Sequence, residues 1–402
     1  MRSIKKLIST APSSHKLSAS LLAISMSLTA ATSAQAFEKQ HAHKFNADRG
    51  GVVYAMTNAD DGNEILVYYR YRSGKLKPVP LATVATGGEG GSDNAPVDPL
   101  GSQNALVYDE SREMLFAVNA GDNTVTAFKT GFGGFQLHAS ALVDSEGYIP
   151  VSLAVNDNRL YVLNAGGSGS VATFAIGTNG DLSLLGVLDL GLNNSNEIPF
   201  NNVMAPAQVG VDTLKRRIIV THGGGQRLLT AALDDDGVAR GNLVATPTPG
   251  VVPFAFEVSR YGNVLLAEAG SGSVSSFGPS ATGTPLVLES ASVASGQRAT
   301  CWIVATDNYA YTANTGSDNI SLYSHSRTGN LELVSAIAAT AADAPTDMTL
   351  AGHGSFLYTL DANSGTISGF AIDANTGALT AVETQEGLPA AAGIQGIAAN
   401  DY

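Results

Sequence analysis

The chain has 402 residues, of which 44% are hydrophobic and only 14% charged, with 44 glycines and a single cysteine. This length and composition suit a large core built from many short strands and tight turns. The net charge of −13 argues against nucleic acid and anionic membranes as partners, and the single cysteine excludes an internal disulfide.

The first 36 residues have the features of a secretory signal. They carry four basic residues and no acidic one, an apolar run at 21–31, and the small-x-small sequence Ala34-Gln35-Ala36. The run is too short to span a membrane, and no later run of about 20 apolar residues occurs. We therefore expect an exported protein, periplasmic or secreted, whose mature chain has a net charge of −17. Residues 37–50 are polar and irregular, and one domain is expected from 51 to 402.

A repeated unit dominates residues 51–402. Each copy has an apolar strand that ends in a marker residue, then a turn and an alternating strand. The seven marker residues are Asn58, Asn119, Asn164, His222, Glu268, Asn314 and Asp361. Their spacings of 61, 45, 58, 46, 46 and 47 residues indicate a period near 46 with two insertions, which fits the four short strands of a propeller blade. A strand–helix solenoid is the rival, but no segment of about ten residues between markers has helical periodicity.

A further strand leads into most copies, as at residues 103–107, 151–155 and 300–304. The first copy lacks this leading strand, whereas residues 393–399 match its pattern and have no unit after them. The sequence therefore predicts an all-β fold, a seven-bladed propeller of four-stranded blades that is closed when the C-terminal strand joins the first blade. Such closure removes the exposed edges that promote aggregation.

Two of the copies carry a longer string of residues. The segments are Gln-Arg-Ala-Thr-Cys-Trp at 297–302, followed by Tyr-Ala-Tyr-Thr-Ala-Asn-Thr at 309–315, and Val-Leu-Leu-Ala-Glu-Ala-Gly-Ser-Gly-Ser-Val at 264–274. They resemble the blades of lactonase-type seven-bladed propellers, the family of bacterial 6-phosphogluconolactonases and fungal 3-carboxymuconate cyclases, whose string is Arg-His-x-x-Phe-x-Pro-x-Gly-x-x-Ala-Tyr-x-x-Asn-Glu-x-x-x-x-Val.

The resemblance covers roughly residues 51 to 402, and it implies the propeller fold and an activity on lactones that uses His, Arg and Glu. Arg298 keeps the arginine of the string. Ala299 and Thr315 stand where the family has its histidine and glutamate. Glu268 stands in the asparagine column and Ala269 in the glutamate column.

The marker residues and the starts of the leading strands are expected to share one face of the ring, as a polar rim around the channel. Asn and Asp before glycine are turn formers, but His222 and Glu268 are not preferred turn residues and replace the marker Asn in adjacent blades. We predict that His222 or Glu268 activates water as a general base while Arg298 holds a carboxylate or the developing oxyanion. An ion-paired network is the structural alternative. The predicted binding residues of the rim are Gln103, Asn104, Asn119, Asn164, Gln208, Asn314, Asp347 and Gln395.

No cofactor and no catalytic metal are expected, since the seven histidines are scattered and no zinc spacing occurs. The insertions at 86–101 and 190–202 point to the same rim, and long loops on a rigid scaffold commonly carry binding. Glu89, Asp93 and Asp98 could hold a structural calcium through oxygen, although their spacing matches no calcium loop. Cys301 is expected to be a small buried hydrophobe.

Two functions stay open at this point. The first is the hydrolysis of a lactone or similar cyclic ester at the polar rim, without a required metal. The second is a non-catalytic propeller of the envelope or the medium that binds a protein, polymer or small ligand. Fold alone does not decide between them, because propellers host many unrelated functions. The expected partner is a small molecule, with no nucleic acid, no membrane span and a monomeric state.

Overall fold

The computed structural model describes residues 48–92, 95, 97–197 and 204–401. The chain divides into two units, Met1–Arg49 and Gly50–Tyr402, and only the last two residues of the first unit are described. The predicted signal peptide and most of the predicted irregular segment lie outside the described residues. Across those that are described, no helix is long and apolar enough to cross a membrane.

The second unit consists of seven four-stranded antiparallel sheets, the blades, which follow one another along the chain. The innermost strands, from blade 1 to blade 7, are β28 (Ile397–Asp401), β4 (Leu106–Asp109), β8 (Pro150–Asn156), β12 (Pro206–Asp212), β16 (Pro253–Val258), β20 (Thr300–Ala305) and β24 (Pro345–Ala351). The second strands are β1 (Arg49–Met56), β5 (Met114–Asn119), β9 (Arg159–Asn164), β13 (Arg217–His222), β17 (Val264–Glu268), β21 (Tyr309–Asn314) and β25 (Phe356–Asp361).

The third strands are β2 (Glu64–Tyr71), β6 (Thr124–Gly131), β10 (Ser170–Ile176), β14 (Arg227–Leu233), β18 (Ser273–Gly278), β22 (Asn319–His325) and β26 (Thr366–Ile372). The outermost strands are β3 (Ala82–Ala85), β7 (Gln136–Asp144), β11 (Leu182–Asp189), β15 (Ala239–Pro247), β19 (Val287–Ala294), β23 (Leu331–Thr340) and β27 (Leu379–Glu386). Second strands such as β5 and β17 are buried along their whole length, because both faces pack against neighbouring blades.

The ring is closed by the C-terminal strand, as predicted. β28 pairs with β1 in antiparallel register from Gly51 opposite Asp401 to Ala55 opposite Ile397. The innermost strands contact one another in order around the ring, and β28 contacts both β24 and β4. The first and last strands of the domain thus share one sheet, which makes blade 1 depend on both ends of the domain.

The two faces of the ring follow from the strand direction. We call the face where the innermost strands begin the upper face, and the face where they end the lower face. Pro150 lies opposite the marker Asn164, and Pro253 lies opposite the marker Glu268, so leading strands start beside marker residues. The leading strand predicted at 103–107 is shifted, since β4 begins only at Leu106.

Candidate functional site

The marker residues of the upper face hold together the corners of the blades. Asn119 is buried, and its Nδ2 donates to the hydroxyls of Thr124 (3.0 Å) and Thr126 (2.9 Å), five and seven residues further on. The carboxylate of buried Asp361 accepts from the residues at the same two offsets, Thr366 (3.1 Å) and Ser368 (2.6 Å). Asn314 makes bonds at the same two offsets, and Asn164 donates to the hydroxyl of Ser170, six residues further on. These buried side chains therefore tie the second strand to the third.

Glu268 occupies the same kind of corner and is fully buried. Its Oε2 accepts from the hydroxyls of Ser273 (2.7 Å) and Ser292 (2.8 Å). Its Oε1 accepts from the hydroxyl of Ser275 and from the backbone N–H of Gly250, both at 2.8 Å. Four donors occupy the acceptor positions of this buried carboxylate, which suits a structural anchor and leaves little capacity to bind the water that a general base would activate.

The other two predicted catalytic residues lie on the same face but outside this cluster. His222 is half-buried, and its Nδ1 accepts from Nε of Arg227 at 3.3 Å. Burial and the charge of Arg227 lower the pKa of His222, so its ring is neutral at neutral pH. Arg298 is exposed, and its backbone N–H donates to the hydroxyl of Ser317 at 2.9 Å. In the described part of the chain, no hydrogen bond or ion pair joins His222, Glu268 and Arg298 to one another.

The upper mouth of the channel is filled by residues 98–104, which we call the channel plug. The side chain of Gln103 crosses from blade 2 to blade 6, where Nε2 donates to the carbonyl of Ile303 and Oε1 accepts from its N–H, both at 3.0 Å. Trp302 of blade 6 donates from Nε1 to the carbonyl of Ser102 at 2.8 Å. The hydroxyl of Ser102 donates to the carbonyl of Val151 in blade 3, also at 2.8 Å. The channel plug therefore bridges blades across the channel.

Two other predicted rim residues, Gln395 and Gln208, also form hydrogen bonds with groups of this chain through both atoms of the side-chain amide. Gln395, which precedes β28, donates from Nε2 to Asp98 at 2.9 Å and accepts from the N–H of Leu100 at 3.2 Å. Gln208 makes the equivalent pair of bonds to the backbone of Phe256 in the next blade, at 3.0 and 2.7 Å. Amides that bond the protein's own backbone on both sides have little capacity left for a ligand.

Two carboxyl groups are buried at the upper end of the channel, Asp98 within the plug and Asp347 at the start of β24. Burial raises the pKa of Asp98 to about 8, although the hydrogen bond from Gln395 works against it. Burial also raises the pKa of Asp347 to about 8, against a hydrogen bond from the N–H of Met348. The charge of Asp347 contributes to the raised pKa of Asp98, so the two carboxyl groups interact electrostatically. Both are therefore largely protonated at neutral pH.

The predicted calcium ligands are not tested by this arrangement. Asp93 lies outside the described residues, and Asp98 belongs to the plug. The described residues contain no group of three or more His, Cys, Asp or Glu side chains that could hold a metal ion. Cys301 is buried, which agrees with the expected packing role.

The open space of the channel lies below the plug, where the innermost strands end. A cavity of about 420 Å³ is lined by Asn104, Leu106, Val107, Tyr108, Leu153, Ala154, Val155, Glu257, Val304, Ala305, Met348, Thr349, Leu350, Ile397, Ala398 and Ala399. A second cavity of about 500 Å³ lies beside it under blades 5 to 7 and shares Glu257, Ala305 and Leu350 with the first. Both of these cavities therefore lie at the lower face, away from the predicted rim.

Glu257 stands between these two cavities. It belongs to β16, is half-buried, and has no hydrogen-bond or ion-pair partner in the described part of the chain. Burial raises its pKa to about 8, a value at which a carboxyl group can both take up and release a proton near neutral pH. The sequence signal that points to it is a single charge inside the otherwise apolar strand Phe-Ala-Phe-Glu-Val at 254–258.

Asn104 is the one predicted binding residue that lines the same cavity. Its backbone has φ = +67°, a left-handed conformation that asparagine tolerates, and its carbonyl accepts from the N–H of Leu153 at 2.9 Å. Its side-chain amide makes no hydrogen bond in the described part of the chain. The cavity thus combines a free carboxyl group with a free amide, one able to move a proton and the other able to donate to an oxyanion.

Comparison with known proteins fits this architecture. The family model "Lactonase, 7-bladed beta-propeller" matches residues 92–394, about three quarters of the chain. The chain belongs to this family. The resemblance seen in the sequence and the predicted propeller fold are both confirmed. No curated protein matches the chain.

Solved structures show the same lactonase propeller. A candidate 6-phosphogluconolactonase from Bacteroides fragilis superposes with a TM-score of 0.67 at 17% identity, covering 84% of this chain and 95% of its own. A second candidate 6-phosphogluconolactonase, from Bacteroides uniformis, superposes with a TM-score of 0.69 at 17% identity, covering 87% of this chain and 99% of its own. The periplasmic gluconolactonase PpgL of Pseudomonas aeruginosa superposes with a TM-score of 0.65 at 18% identity, covering 86% of this chain and 98% of its own. At these identities, the similarity establishes the fold of the lactonase propeller and not its substrate.

Proposed function

We propose that the protein hydrolyses a lactone or a similar cyclic ester in the lower channel cavity, with Glu257 as the general base. The observation that carries this proposal is the unpartnered Glu257 carboxyl group, whose pKa of about 8 suits proton transfer near neutrality. Membership of the lactonase family supports the class of reaction. Glu268 is left out of the proposed site because its carboxylate already accepts four hydrogen bonds.

The reaction needs one proton carrier and one oxyanion donor. Ionised Glu257 takes a proton from a water molecule, whose oxygen attacks the carbonyl carbon of the ester. The amide N–H of Asn104 donates to the negative oxygen of the tetrahedral intermediate. The intermediate collapses with cleavage of the ring C–O bond, and the leaving alkoxide takes the proton back from Glu257. The product is an open-chain hydroxy acid, and the enzyme returns to its starting state.

The lower face also explains how a substrate could enter. The plug closes the upper mouth through bonds to blades 3 and 6, whereas the cavities under the plug are bounded by the ends of the innermost strands and their turns. The features of residues 1–36, which lie outside the described residues, support export of this hydrolase. A monomeric state stays a prediction.

A kinetic comparison tests the assignment. We expect Glu257→Gln to lower kcat/KM for a panel of five- and six-membered lactones by roughly 10²–10⁴-fold, the usual contribution of a general base. The matched control is Glu332→Gln, the same change on the exposed outermost strand β23, which should leave the kinetics within about twofold. The wild-type pH profile should rise towards pH 8 after subtraction of spontaneous hydrolysis, because only the ionised form of Glu257 acts as the base.

Full activity of Glu257→Gln, with a melting temperature like that of the wild type, would show that Glu257 is not the base. Wild-type protein that turns over no lactone would overturn the hydrolase proposal. The non-catalytic alternative, binding of a protein, polymer or small ligand, would then be the better account of the fold.

A further inference from the structure

We infer that the lower cavity accepts uncharged, hydroxyl-rich lactones and discriminates against phosphorylated or carboxylated ones. This inference rests on the proposed function and concerns the substrate of the same site. The described side chains that line the channel cavity include no Lys, Arg or His, and Glu257 is their one charged group. Sites that select phosphate or carboxylate groups normally offer an Arg or Lys for charge-assisted hydrogen bonds.

The hydrogen-bonding groups of the cavity wall are neutral. Each innermost strand is the edge strand of its sheet, so one side of its backbone has no ladder partner and faces the channel. The free amide of Asn104 and the hydroxyl of Thr349 add further neutral groups, whereas the hydroxyl of Tyr108 already accepts from the side-chain amide of Asn400 at 2.6 Å. Such a wall can bond the hydroxyl groups of a polyol, but it offers no counter-charge to an anion.

The neighbouring cavity does not supply the missing cation. Its arginine, Arg260, forms an ion pair with Asp307, with 2.6 Å between Nη1 and Oδ2, and its guanidinium lies 4.8 Å from the ring centre of Tyr261. Its histidine, His353, is 78% exposed and has Nδ1 at 3.6 Å from the Asp401 carboxylate. Arg260 and His353 therefore each lie beside a carboxylate of this chain.

Repulsion adds to the lack of a counter-charge. A substrate positioned for attack must lie beside Glu257, and Glu257 acts in its ionised, negatively charged form. The whole chain carries a net charge of −13, which slows the approach of anions. A phosphate dianion on the substrate is therefore repelled both during its approach and at the site. A neutral lactone experiences no such repulsion.

The test compares δ-gluconolactone with its 6-phosphate on the purified full chain. We expect kcat/KM for the neutral lactone to exceed that for the phosphate by at least 100-fold. The ratio should shrink as salt is raised from 20 to 500 mM, because salt screens the repulsion. Equal or faster turnover of the phosphate would overturn the inference and leave the proposed function standing. Turnover of neither lactone would overturn the proposed function itself.

Two variants give a positive readout. Thr349→Lys places a cation at the cavity wall and should raise the relative kcat/KM for the phosphate at least 10-fold, whereas Thr380→Lys makes the same change on the exposed outermost strand β27 and should not. Asp307→Asn releases Arg260 without adding a residue to the channel and should act in the same direction as Thr349→Lys. An unchanged ratio in both Thr349→Lys and Asp307→Asn, each with wild-type stability, would contradict the electrostatic explanation.

Discussion

The carboxylate of Asp401, at the end of β28, links the closing strand to two blades. Arg70 of β2 reaches Asp401 Oδ1 at 2.8 Å within blade 1, and its side chain is only 2% exposed. The same carboxylate accepts from the backbone N–H groups of Gly352 (2.5 Å) and His353 (2.6 Å), in the turn between β24 and β25 of blade 7. One side chain therefore connects the last strand to its own blade and to the adjacent one, so we choose Asp401→Ala as the perturbation.

The expected loss of stability follows from these contacts. Asp401→Ala leaves Arg70 charged, buried and without its carboxylate, and breaking a buried pair in this way costs about 3–5 kcal/mol. The unfolding entropy of about 2.1 cal/mol/K per residue, over the roughly 350 residues of the domain, converts this cost into a fall in melting temperature of about 4–7 °C. Loss of the two backbone bonds acts in the same direction.

Thermal unfolding followed by circular dichroism measures this loss. The control is Asp307→Ala, which removes an ion pair whose side chains are 54% and 56% exposed, and exposed pairs contribute about 0–1 kcal/mol. We expect a change of less than about 2 °C in the control. Equal shifts in Asp401→Ala and Asp307→Ala would refute the reasoning that burial and the bridging position make Asp401 important.

Two further predictions concern buried carboxyl groups of the upper face. Glu268→Ala should lower the free energy of unfolding by at least about 3 kcal/mol, because it leaves several buried donors without an acceptor. The same variant should keep kcat/KM per folded molecule within about twofold of the wild type. Loss of activity without loss of stability would restore Glu268 as a catalytic candidate. Asp347 has a pKa of about 8 when folded and about 3.9 when unfolded, so between these values the folded state binds more protons and stability falls as pH rises. Urea unfolding at pH 5 and pH 8 should show a smaller loss for Asp347→Asn than for the wild type, by at most about 4 kcal/mol, and identical losses would contradict the raised pKa.

The repeat made the fold predictable. A marker residue every 46 or so residues, followed by an alternating strand, specifies one blade, because each blade must bury both faces against its neighbours. The unmatched strand at 393–399 and the missing leading strand of the first copy indicated closure, and β28 pairs with β1 accordingly. The repeated pattern is local in sequence and occurs seven times. A copy that is ambiguous by itself can therefore be assigned by comparison with the other copies.

The candidate site was much less predictable. Glu268 stood out in the sequence because four of the seven marker residues are asparagines, but the serines that surround it come from β18 and β19. Glu257 looked like one charge in an apolar strand, and only the ring of innermost strands shows that it faces a cavity. Spacing along the chain does not report which polar side chains find a partner, and that decides which of them stay free for chemistry.

The sequence by itself determined the number of blades, the closing strand and the family, because all three rest on a repeated local pattern. Only the tertiary structure showed that the two channel cavities lie at the lower face. Gln103, predicted as a binding residue of the upper rim, bonds across the channel, and this bond needs Ile303 from a blade 200 residues away. Contacts over such distances depend on ring geometry, so the free carboxyl group of Glu257 became recognisable only once the blades were assembled.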